Sequence, residues 1–263
     1  MTRTALTIAG SDSSGGAGIQ ADLKTFAVHG VFGTSAITAL TAQNTTGVGR
    51  VFEVPVDMVV AQIDAVMTDI GADAVKLGML ANAGIASAVA DAIERHRMRN
   101  VVLDTVMVAK GGARLLDDTA VDVIRRRLLP LSSVVTANVP EAEALTGLSL
   151  TSVADLRRAA RALVGLGAAA VVVKGGHLEG PAIDVFDDGT VATELEAPRI
   201  HTVHTHGTGC TMAAAIAAHL ALDRPLADAV AAAKRYVARA IAQAPGLGRG
   251  HGPLGWGPAV LDN

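Results

Sequence analysis

Residues 4–23, TALTIAGSDSSGGAGIQADL, join a short apolar segment to a helical pattern through a loop of serine and glycine. The apolar run Thr4–Ala9 predicts a buried β-strand. After the loop, Ile19, Leu23 and Phe26 recur at the spacing of one helix face. A strand, a polar loop and a helix in this order form the first part of a β–α–β unit, which favours a parallel sheet.

The rest of the chain repeats this alternation of apolar segments and amphipathic helical patterns. The further predicted strands are Ser35–Ala42, Ala74–Leu77, Asn100–Leu103, Val134–Ala137 and Ala169–Val173. Residues 182–200 break the alternation and predict a β-hairpin. Two helices, about Gly209–Ala221 and Leu226–Ala242, follow it. Continuous apolar strands between helices indicate an α/β fold, with a doubly wound, mostly parallel sheet covered on both faces. We expect a single domain over residues 1–263.

Composition excludes several classes of protein. The net charge is −3, and only 2% of the 263 residues are aromatic, so neither bulk basic charge nor base stacking favours nucleic-acid binding. The mean hydropathy is +0.40, but apolar runs such as Met212–Ala218 are far shorter than the ~20 residues that span a bilayer. The one cysteine, Cys210, cannot form an intrachain disulfide, which suits a reducing compartment. We therefore expect a cytoplasmic protein that acts on small molecules, without nucleic-acid or membrane partners.

Polar residues or glycines follow almost every predicted strand. They are Gly10–Gly16, Gln43-Asn44, Gly78-Met79, Asp104, Asn138 and Lys174–His177. In an open parallel sheet, ligands bind beyond the carboxyl ends of the strands, so these residues predict an active site along one edge. The alternative is that they are ordinary turn residues and helix caps.

The first glycine cluster is a weak match to a dinucleotide site. Gly16, Gly18 and Ala21 have the spacing G-x-G-x-x-A. However, five residues separate Gly10 at the strand end from Gly16, and Gln43 rather than an acidic residue ends the second strand, so NAD binding is disfavoured. The sequence contains neither a G-x-x-x-x-G-K-[ST] phosphate loop nor a G-x-S-x-G nucleophile elbow.

The second glycine cluster, HGTGCT at residues 206–211, directly precedes an apolar helix. Free backbone N–H groups at a helix N-terminus bind anions, and they would stabilise charge on a phosphoryl group during transfer. Cys210 falls in the first turn of this helix, where the pKa of a thiol is expected to be lowered. The alternative is a small buried cysteine that only packs.

Three charged residues follow predicted strands and have the chemistry of a phosphate site. Asp104 and Glu141, the latter within Asn138-Val-Pro-Glu141, offer oxygen ligands for Mg²⁺, and Lys174 can neutralise a phosphate. The alternative for each is a cap or a surface charge. Three histidines also lie close together in the sequence: His201, His204 and His206. They do not favour a zinc site, because only two can share a face and no second cysteine is present.

The chain resembles bacterial hydroxymethylpyrimidine/phosphomethylpyrimidine kinases of thiamine biosynthesis, within the ribokinase-like superfamily. The motifs that carry this resemblance are Ala9–Lys24, Ala42–Asn44, Lys76–Leu80, Val102–Met107, Asn138–Ala142, Lys174–His177 and His206–Cys210. Together they extend over nearly the whole chain. Ser13 and Ala137 stand where the family often has proline. Two rivals stay open: a pyridoxal kinase of the same fold, and a non-catalytic nucleotide or vitamin sensor.

The resemblance implies an ATP-dependent, Mg²⁺-using homodimer that phosphorylates the hydroxymethyl group and then the phosphate already attached. It implies that the pyrimidine contacts Gly10, Asp22, Gln43, Met79 and Val106. It implies an anion hole at Gly207, Thr208 and Gly209, with Cys210 where many ribokinase-like enzymes have an aspartate base. It implies Mg²⁺ ligands at Asp104 and Glu141, and nucleotide contacts at Asn138, Lys174 and Thr208.

Overall fold

The computed structural model describes residues 1–107 and 118–257 and contains a single large sheet in them. Its strands are β1 Thr4–Asp12, β2 Phe32–Asn44, β3 Gly47–Glu53, β4 Ala74–Leu77, β5 Val101–Asp104, β6 Val134–Asn138, β7 Val171–Lys174, β8 Ala182–Asp187 and β9 Ala192–Ala197. They lie side by side in the order β3-β2-β1-β4-β5-β6-β7-β8-β9. The six strands from β2 to β7 in this order are mutually parallel, which confirms the predicted doubly wound α/β class.

Antiparallel strands extend both edges of the parallel sheet. At one edge β8 pairs with β7 and β9 with β8, which confirms the hairpin predicted within residues 182–200. At the other edge β2 pairs with β3 across the turn at Thr45-Thr46. Strand β3 was not predicted, and β2 runs past its expected end at Ala42. Residues 47–53 are mostly exposed and include Arg50, so they lack the apolar pattern that identified the buried strands.

Helices cover both faces of the sheet. They are α1 Gly18–Val28, α2 Val56–Asp69, α3 Ala83–His96, α4 Asp118–Val123, α5 Leu129–Leu131, α6 Val139–Thr146, α7 Val153–Gly165, α8 Thr208–Ala221 and α9 Leu226–Ala242, and a π-helical turn, Ile124–Leu128, joins α4 to α5. Alternate strand residues enter opposite cores. Leu103 packs towards α3 and α7, whereas Val102 packs towards α1, α8 and α9. None of the helices in the described ranges is long and apolar enough to cross a membrane.

Helix α8 positions the glycine cluster at the sheet edge. Every residue from Thr211 to Ala221 is buried, and most of them are alanine. Because alanine side chains are short, the helix lies close against the central strands β1, β4, β5 and β6. Its N-terminus therefore reaches the carboxyl ends of the parallel strands.

Candidate active site

A cleft of about 770 Å³ lies across the carboxyl ends of the parallel strands. The predicted site residues that line it are Gly10, Gln43, Met79, Asp104, Val106, Asn138, Glu141, Lys174, Gly207, Thr208, Gly209 and Cys210. Residues at the ends of β1, β2, β5, β6 and β7 thus meet in one cleft, as the strand-end pattern predicted. Asp22 is the exception, because its side chain is fully buried and does not line the cleft.

The N-terminus of α8 forms one wall of the cleft. Gly207 is its N-cap and has φ +83°, and any Cβ at this position would collide with the carbonyl oxygen of Gly16. Only glycine allows this close approach of the two glycine loops. A Cβ at Gly209 would lie 3.2 Å from Nζ of Lys174 and 3.5 Å from Oδ2 of Asp104. The first turn of α8 therefore lies directly against this charged pair.

Asp104 and Lys174 form an ion pair at the base of the cleft. Nζ of Lys174 donates to Oδ1 of Asp104 at 2.8 Å, and Oγ1 of Thr136 donates to the same oxygen at 2.9 Å. Burial raises the pKa of Asp104, but the positive charges of Lys174 and Lys76 outweigh burial and hold that pKa below its usual value. Burial also lowers the pKa of Lys174, and the carboxylates of Asp104 and Glu141 more than reverse this. Both members of the pair are therefore charged at neutral pH.

Glu141 is both a helix cap and a residue of the cleft wall. Its N–H donates to Oδ1 of Asn138 at 3.0 Å, while its Oε2 accepts from the N–H of Asn138 at 2.8 Å. Thr105 also donates to Oε2, at 3.3 Å. Burial raises the pKa of Glu141 to about 7; Lys174 opposes this shift and Asp104 adds to it. The cap interpretation of Asn138 and Glu141 is confirmed, and the cap fixes the carboxylate at the cleft.

The carboxylates of Asp104 and Glu141 fit a magnesium ion that arrives with a nucleotide. Both line the cleft, and they lie close enough for the charge of Asp104 to raise the pKa of Glu141. Within residues 1–107 and 118–257, no group of three His, Cys, Asp or Glu side chains converges as a metal site. Mg²⁺ is commonly held by one or two carboxylates together with substrate phosphates and water, and two such carboxylates are present.

Cys210 lines the cleft in the first turn of α8, but its predicted acidity is wrong. Burial raises the pKa of the Cys210 thiol to about 11. The ammonium of Lys76 lowers this pKa, whereas the carboxylates of Asp22 and Asp104 raise it. A helix N-terminus alone favours the thiolate. Here, burial beside two carboxylates reverses that preference.

Asp22 holds a lysine rather than facing the cleft. Oδ2 of Asp22 accepts from Nζ of Lys76 at 2.9 Å and from Oγ1 of Thr7 at 2.6 Å, and the side chains of Asp22 and Lys76 are both 0% exposed. Lys76 lines the cleft, and Asp22 lies behind it. Asp22 therefore borders the cleft only through Lys76 in this structure, and its contact with the ring stays a prediction. Sequence reasoning missed Lys76, although a lysine inside the apolar strand AVKL was a usable signal.

The end of the cleft beside β1 and β2 combines apolar walls with one amide. A Cβ at Gly10 would lie 2.5 Å from Cε of Met79, so the methionine packs directly over the glycine. Val106 lines the same cleft. The amide of Gln43 approaches Nε2 of His206 to 3.2 Å. Sequence reasoning gave His206 no role beyond a disfavoured zinc ligand.

The opposite end of the cleft contains further residues that sequence reasoning missed. The guanidinium of Arg199 donates to the carbonyls of Gly176, Leu178 and Gly180 and so fixes the loop after β7. Nζ of Lys234 lies 2.8 Å from Oδ2 of Asp184. Apolar residues of α8 and α9 line this end: Met212, Val237, Ala238 and Ile241. These residues come from distant parts of the chain and share no local motif.

Comparison with known proteins identifies the family of this chain. The profile of the family described as phosphomethylpyrimidine kinase matches residues 12–255. The chain belongs to this family. It is 49% identical over 253 residues to a hydroxymethylpyrimidine/phosphomethylpyrimidine kinase of Haemophilus influenzae, with 94% of each chain covered. It is also 53% identical over 250 residues to the thiamine biosynthesis bifunctional protein ThiED of Geobacter sulfurreducens; the match covers 95% of this chain but 51% of that protein.

Solved structures of the same fold include two kinds of kinase. A pyridoxal kinase of Bacillus subtilis in complex with ADP is 40% identical, with a TM-score of 0.90 and 97% of each chain covered. A phosphomethylpyrimidine kinase of Clostridium difficile is also 40% identical, with a TM-score of 0.82, 91% of this chain covered and 100% of that chain. The chain is a phosphotransferase with a ribokinase-like fold. Its identity of 49% to the pyrimidine kinase of Haemophilus influenzae exceeds its 40% identity to this solved pyridoxal kinase.

Proposed function

We propose that this kinase transfers the γ-phosphoryl group of ATP to 4-amino-5-hydroxymethyl-2-methylpyrimidine and then to its monophosphate, which gives the diphosphate used in thiamine biosynthesis. The observation that carries this function is the position of the α8 N-terminus against the Asp104–Lys174 pair. The small pocket of Gly10, Gln43 and Met79 lies in the same cleft. Phosphoryl transfer requires such positioning and charge stabilisation more than covalent chemistry.

The phosphate-binding part of the cleft is proposed to work through fixed dipoles and charges. The N–H groups at Gly207, Thr208 and Gly209 would donate to the phosphoryl oxygens and so stabilise the negative charge that develops on the transferred group. Lys174 and Asn138 would contact the nucleotide phosphates. Asp104 and Glu141 would hold Mg²⁺ directly or through water, and the ion would neutralise phosphate charge.

Cys210 is proposed as the base of the first phosphorylation. In its thiolate form, which is the minor form at neutral pH, it would take the proton of the hydroxymethyl group as the oxygen attacks phosphorus, and the Lys76 ammonium would stabilise that thiolate. The second phosphorylation starts from a phosphate monoester whose oxygens are mostly ionised at neutral pH, so it needs no such base. The two steps should therefore depend differently on Cys210.

Pyridoxal phosphorylation is the second candidate, because solved structures with TM-scores of 0.90–0.92 are pyridoxal kinases. The decisive experiment supplies Mg-ATP with hydroxymethylpyrimidine, its monophosphate or pyridoxal and identifies each product by mass. We expect the pyrimidine diphosphate from both pyrimidine substrates. If pyridoxal were phosphorylated and neither pyrimidine were, the second candidate would be established instead.

We further propose that the protein is a cytoplasmic homodimer built from one kinase domain per chain. The β2–β3 edge and the first turn of α2 expose several large apolar side chains: Leu40, Val51 and Phe52 on the strands, and Val56 and Met58 on the helix. Leu40 and Phe52 are directly paired across the two strands, so they share one face. Such a patch favours contact with a second copy. Sedimentation should show a dimer that Phe52→Glu converts to a monomer.

A further inference from the structure

The loop before α8, residues 198–207, leads directly into the N-cap Gly207. It contains no helix or strand of its own, so its position depends on contacts with other parts of the chain. A second irregular segment, residues 247–253 after α9, supplies several of these contacts, and we call it the C-terminal segment. The N–H of His206 donates to the carbonyl of Gly252 at 3.1 Å, and both residues are buried. The backbone of the loop is therefore fixed one residue before the proposed anion hole.

Further contacts hold the loop before α8 on both of its sides. The N–H of Gly252 donates to Nδ1 of His204 at 3.2 Å, and Pro253 forms an isolated parallel bridge with His206. The ring of His206 is fixed separately, because its Nε2 lies 2.8 Å from Oδ2 of Asp12 at the end of β1. The loop is thus attached to the first glycine loop on one side and to the C-terminal segment on the other.

The C-terminal segment is itself anchored to the turn between β2 and β3. The N–H of His251 donates to the carbonyl of Thr45 at 2.8 Å, and the N–H of Gly250 donates to Oγ1 of Thr45 at 3.3 Å. Thr45 follows Gln43 by two residues. The backbone of Gln43 is held in turn by Oγ of Ser13, which donates to its carbonyl at 2.7 Å and accepts from its N–H at 2.8 Å. The C-terminal segment therefore joins the fixed ring-pocket side of the cleft to the loop before α8.

Two glycines allow the C-terminal segment to approach both partners. A Cβ at Gly250 would lie 2.2 Å from the carbonyl oxygen of Thr45. A Cβ at Gly252 would lie 2.3 Å from Nδ1 of His204 and 2.6 Å from the carbonyl oxygen of Leu247. Because ordinary van der Waals contact begins at 3.4 Å, alanine at either position would displace the segment by about 1 Å.

We infer that Gly250 and Gly252 are positioning residues for phosphoryl transfer, because they let the C-terminal segment fix the loop before α8 against the β2–β3 turn. This inference rests on the proposed function, which places the pyrimidine at Gln43 and the transferred group at Gly207. Reacting atoms must lie about 3–3.5 Å apart, and a misplacement of about 1 Å can cost about 100-fold in rate. None of residues 247–253 lines the cleft, so the segment acts on the transfer only through the loop that it holds.

The test measures single-turnover phosphorylation of 4-amino-5-hydroxymethyl-2-methylpyrimidine at saturating Mg-ATP, and calorimetry gives the dissociation constant of each ligand alone. Gly250→Ala and Gly252→Ala should each slow the transfer about 10- to 100-fold. Both dissociation constants should stay nearly unchanged, because Ser13 holds Gln43 in place and the segment does not line the cleft. Gly257→Ala is the matched control, since a Cβ there has no atom within 4 Å, and it should keep the full rate. Thermal unfolding verifies that each variant is folded.

Thr45 gives a second test that adds no overlap. Thr45→Val removes the acceptor of the Gly250 N–H and should slow the transfer about two- to tenfold, the equivalent of one neutral hydrogen bond. Thr45→Ser keeps the hydroxyl and should restore the rate. If the alanine variants do not fold, equal rates in the Val and Ser variants would overturn the inference.

Two results with folded alanine variants would also overturn it. One is an unaltered single-turnover rate in Gly250→Ala and Gly252→Ala. The other is a loss of pyrimidine affinity as large as the loss of rate, which would show that the segment builds the ring pocket rather than positions the loop. Failure of the unchanged protein to phosphorylate the pyrimidine would instead contradict the proposed function.

Discussion

The Cys210 thiol should titrate far above the pH at which the enzyme works. Its pKa is raised from 9.0 to about 11. At about pH 8, roughly one thiol in a thousand is then ionised, compared with about one in ten at the ordinary value. A thiolate of higher pKa is intrinsically more nucleophilic. With a Brønsted coefficient of about 0.4–0.5, a rise of two pKa units makes the thiolate itself react roughly six- to tenfold faster. Alkylation at about pH 8 should therefore be about 10- to 15-fold slower than that of an unperturbed thiol.

Iodoacetamide labelling followed by intact mass measures this rate directly, because Cys210 is the one cysteine of the sequence. The rate should still be rising steeply at about pH 10, one unit below the expected pKa. The half-buried position of Cys210 slows labelling at every pH, so the shape of the profile is the evidence.

Lys76→Met provides the perturbation that tests the cause. The Lys76 ammonium lowers the pKa of Cys210, so its removal should move the profile to still higher pH. Lys24→Met is the control, since Lys24 lies on α1, where its Nζ donates to the carbonyl of Gly15, and does not line the cleft. An inflection at or below pH 9 in the unchanged protein would show that the helix N-terminus dominates and that the reasoning from burial is wrong. Faster labelling of Lys76→Met would refute the role of Lys76.

Substitutions at three further positions test the proposed roles in proton transfer, magnesium binding and pyrimidine binding. Cys210→Ala should slow the first phosphorylation by about 10²–10⁴-fold and the second much less, with Cys210→Asp retaining more of the first; equal slowing in single-step assays would make the cysteine a packing residue. Glu141→Gln should reduce turnover with Mg-ATP while calorimetry shows nearly unchanged hydroxymethylpyrimidine binding; a large loss of that affinity would move Glu141 to the ring pocket. Gln43→Ala should weaken pyrimidine binding by about 1–3 kcal/mol, because a polar ring group loses its partner, and an unchanged affinity would contradict its placement.

The sequence predicted those parts of the molecule that depend on local pattern. The apolar strands and amphipathic helices defined the parallel sheet, and its geometry brought Asp104, Asn138 and Lys174 to one edge. The glycine run before α8 identified the helix N-terminus. The sequence did not predict strand β3, because this edge strand is mostly exposed and its residues lack the apolar pattern of a buried strand.

The electrostatics of the site could not be predicted, because they depend on contacts between distant segments. From the sequence, Asp22 on α1 was interpreted as a ligand-binding carboxylate. In the structure it forms an ion pair with Lys76, which lies 54 residues later in the chain. The same two residues, together with Asp104, determine the pKa of Cys210. A helix N-terminus is visible in a sequence, whereas the burial and charges that surround it are not.

The balance of charges in the cleft explains why the net charge gave no sign of a phosphate site. Lys174 is paired with Asp104 and Lys76 with Asp22, so neither lysine adds an uncompensated positive charge. The backbone N–H groups at the N-terminus of α8 carry no countercharge of this kind, and they lie against the first pair. Anion binding therefore rests on the helix N-terminus as well as on the lysines. A protein of net charge −3 can bind phosphates in this way, and the glycines before α8 indicate it better than a count of basic residues.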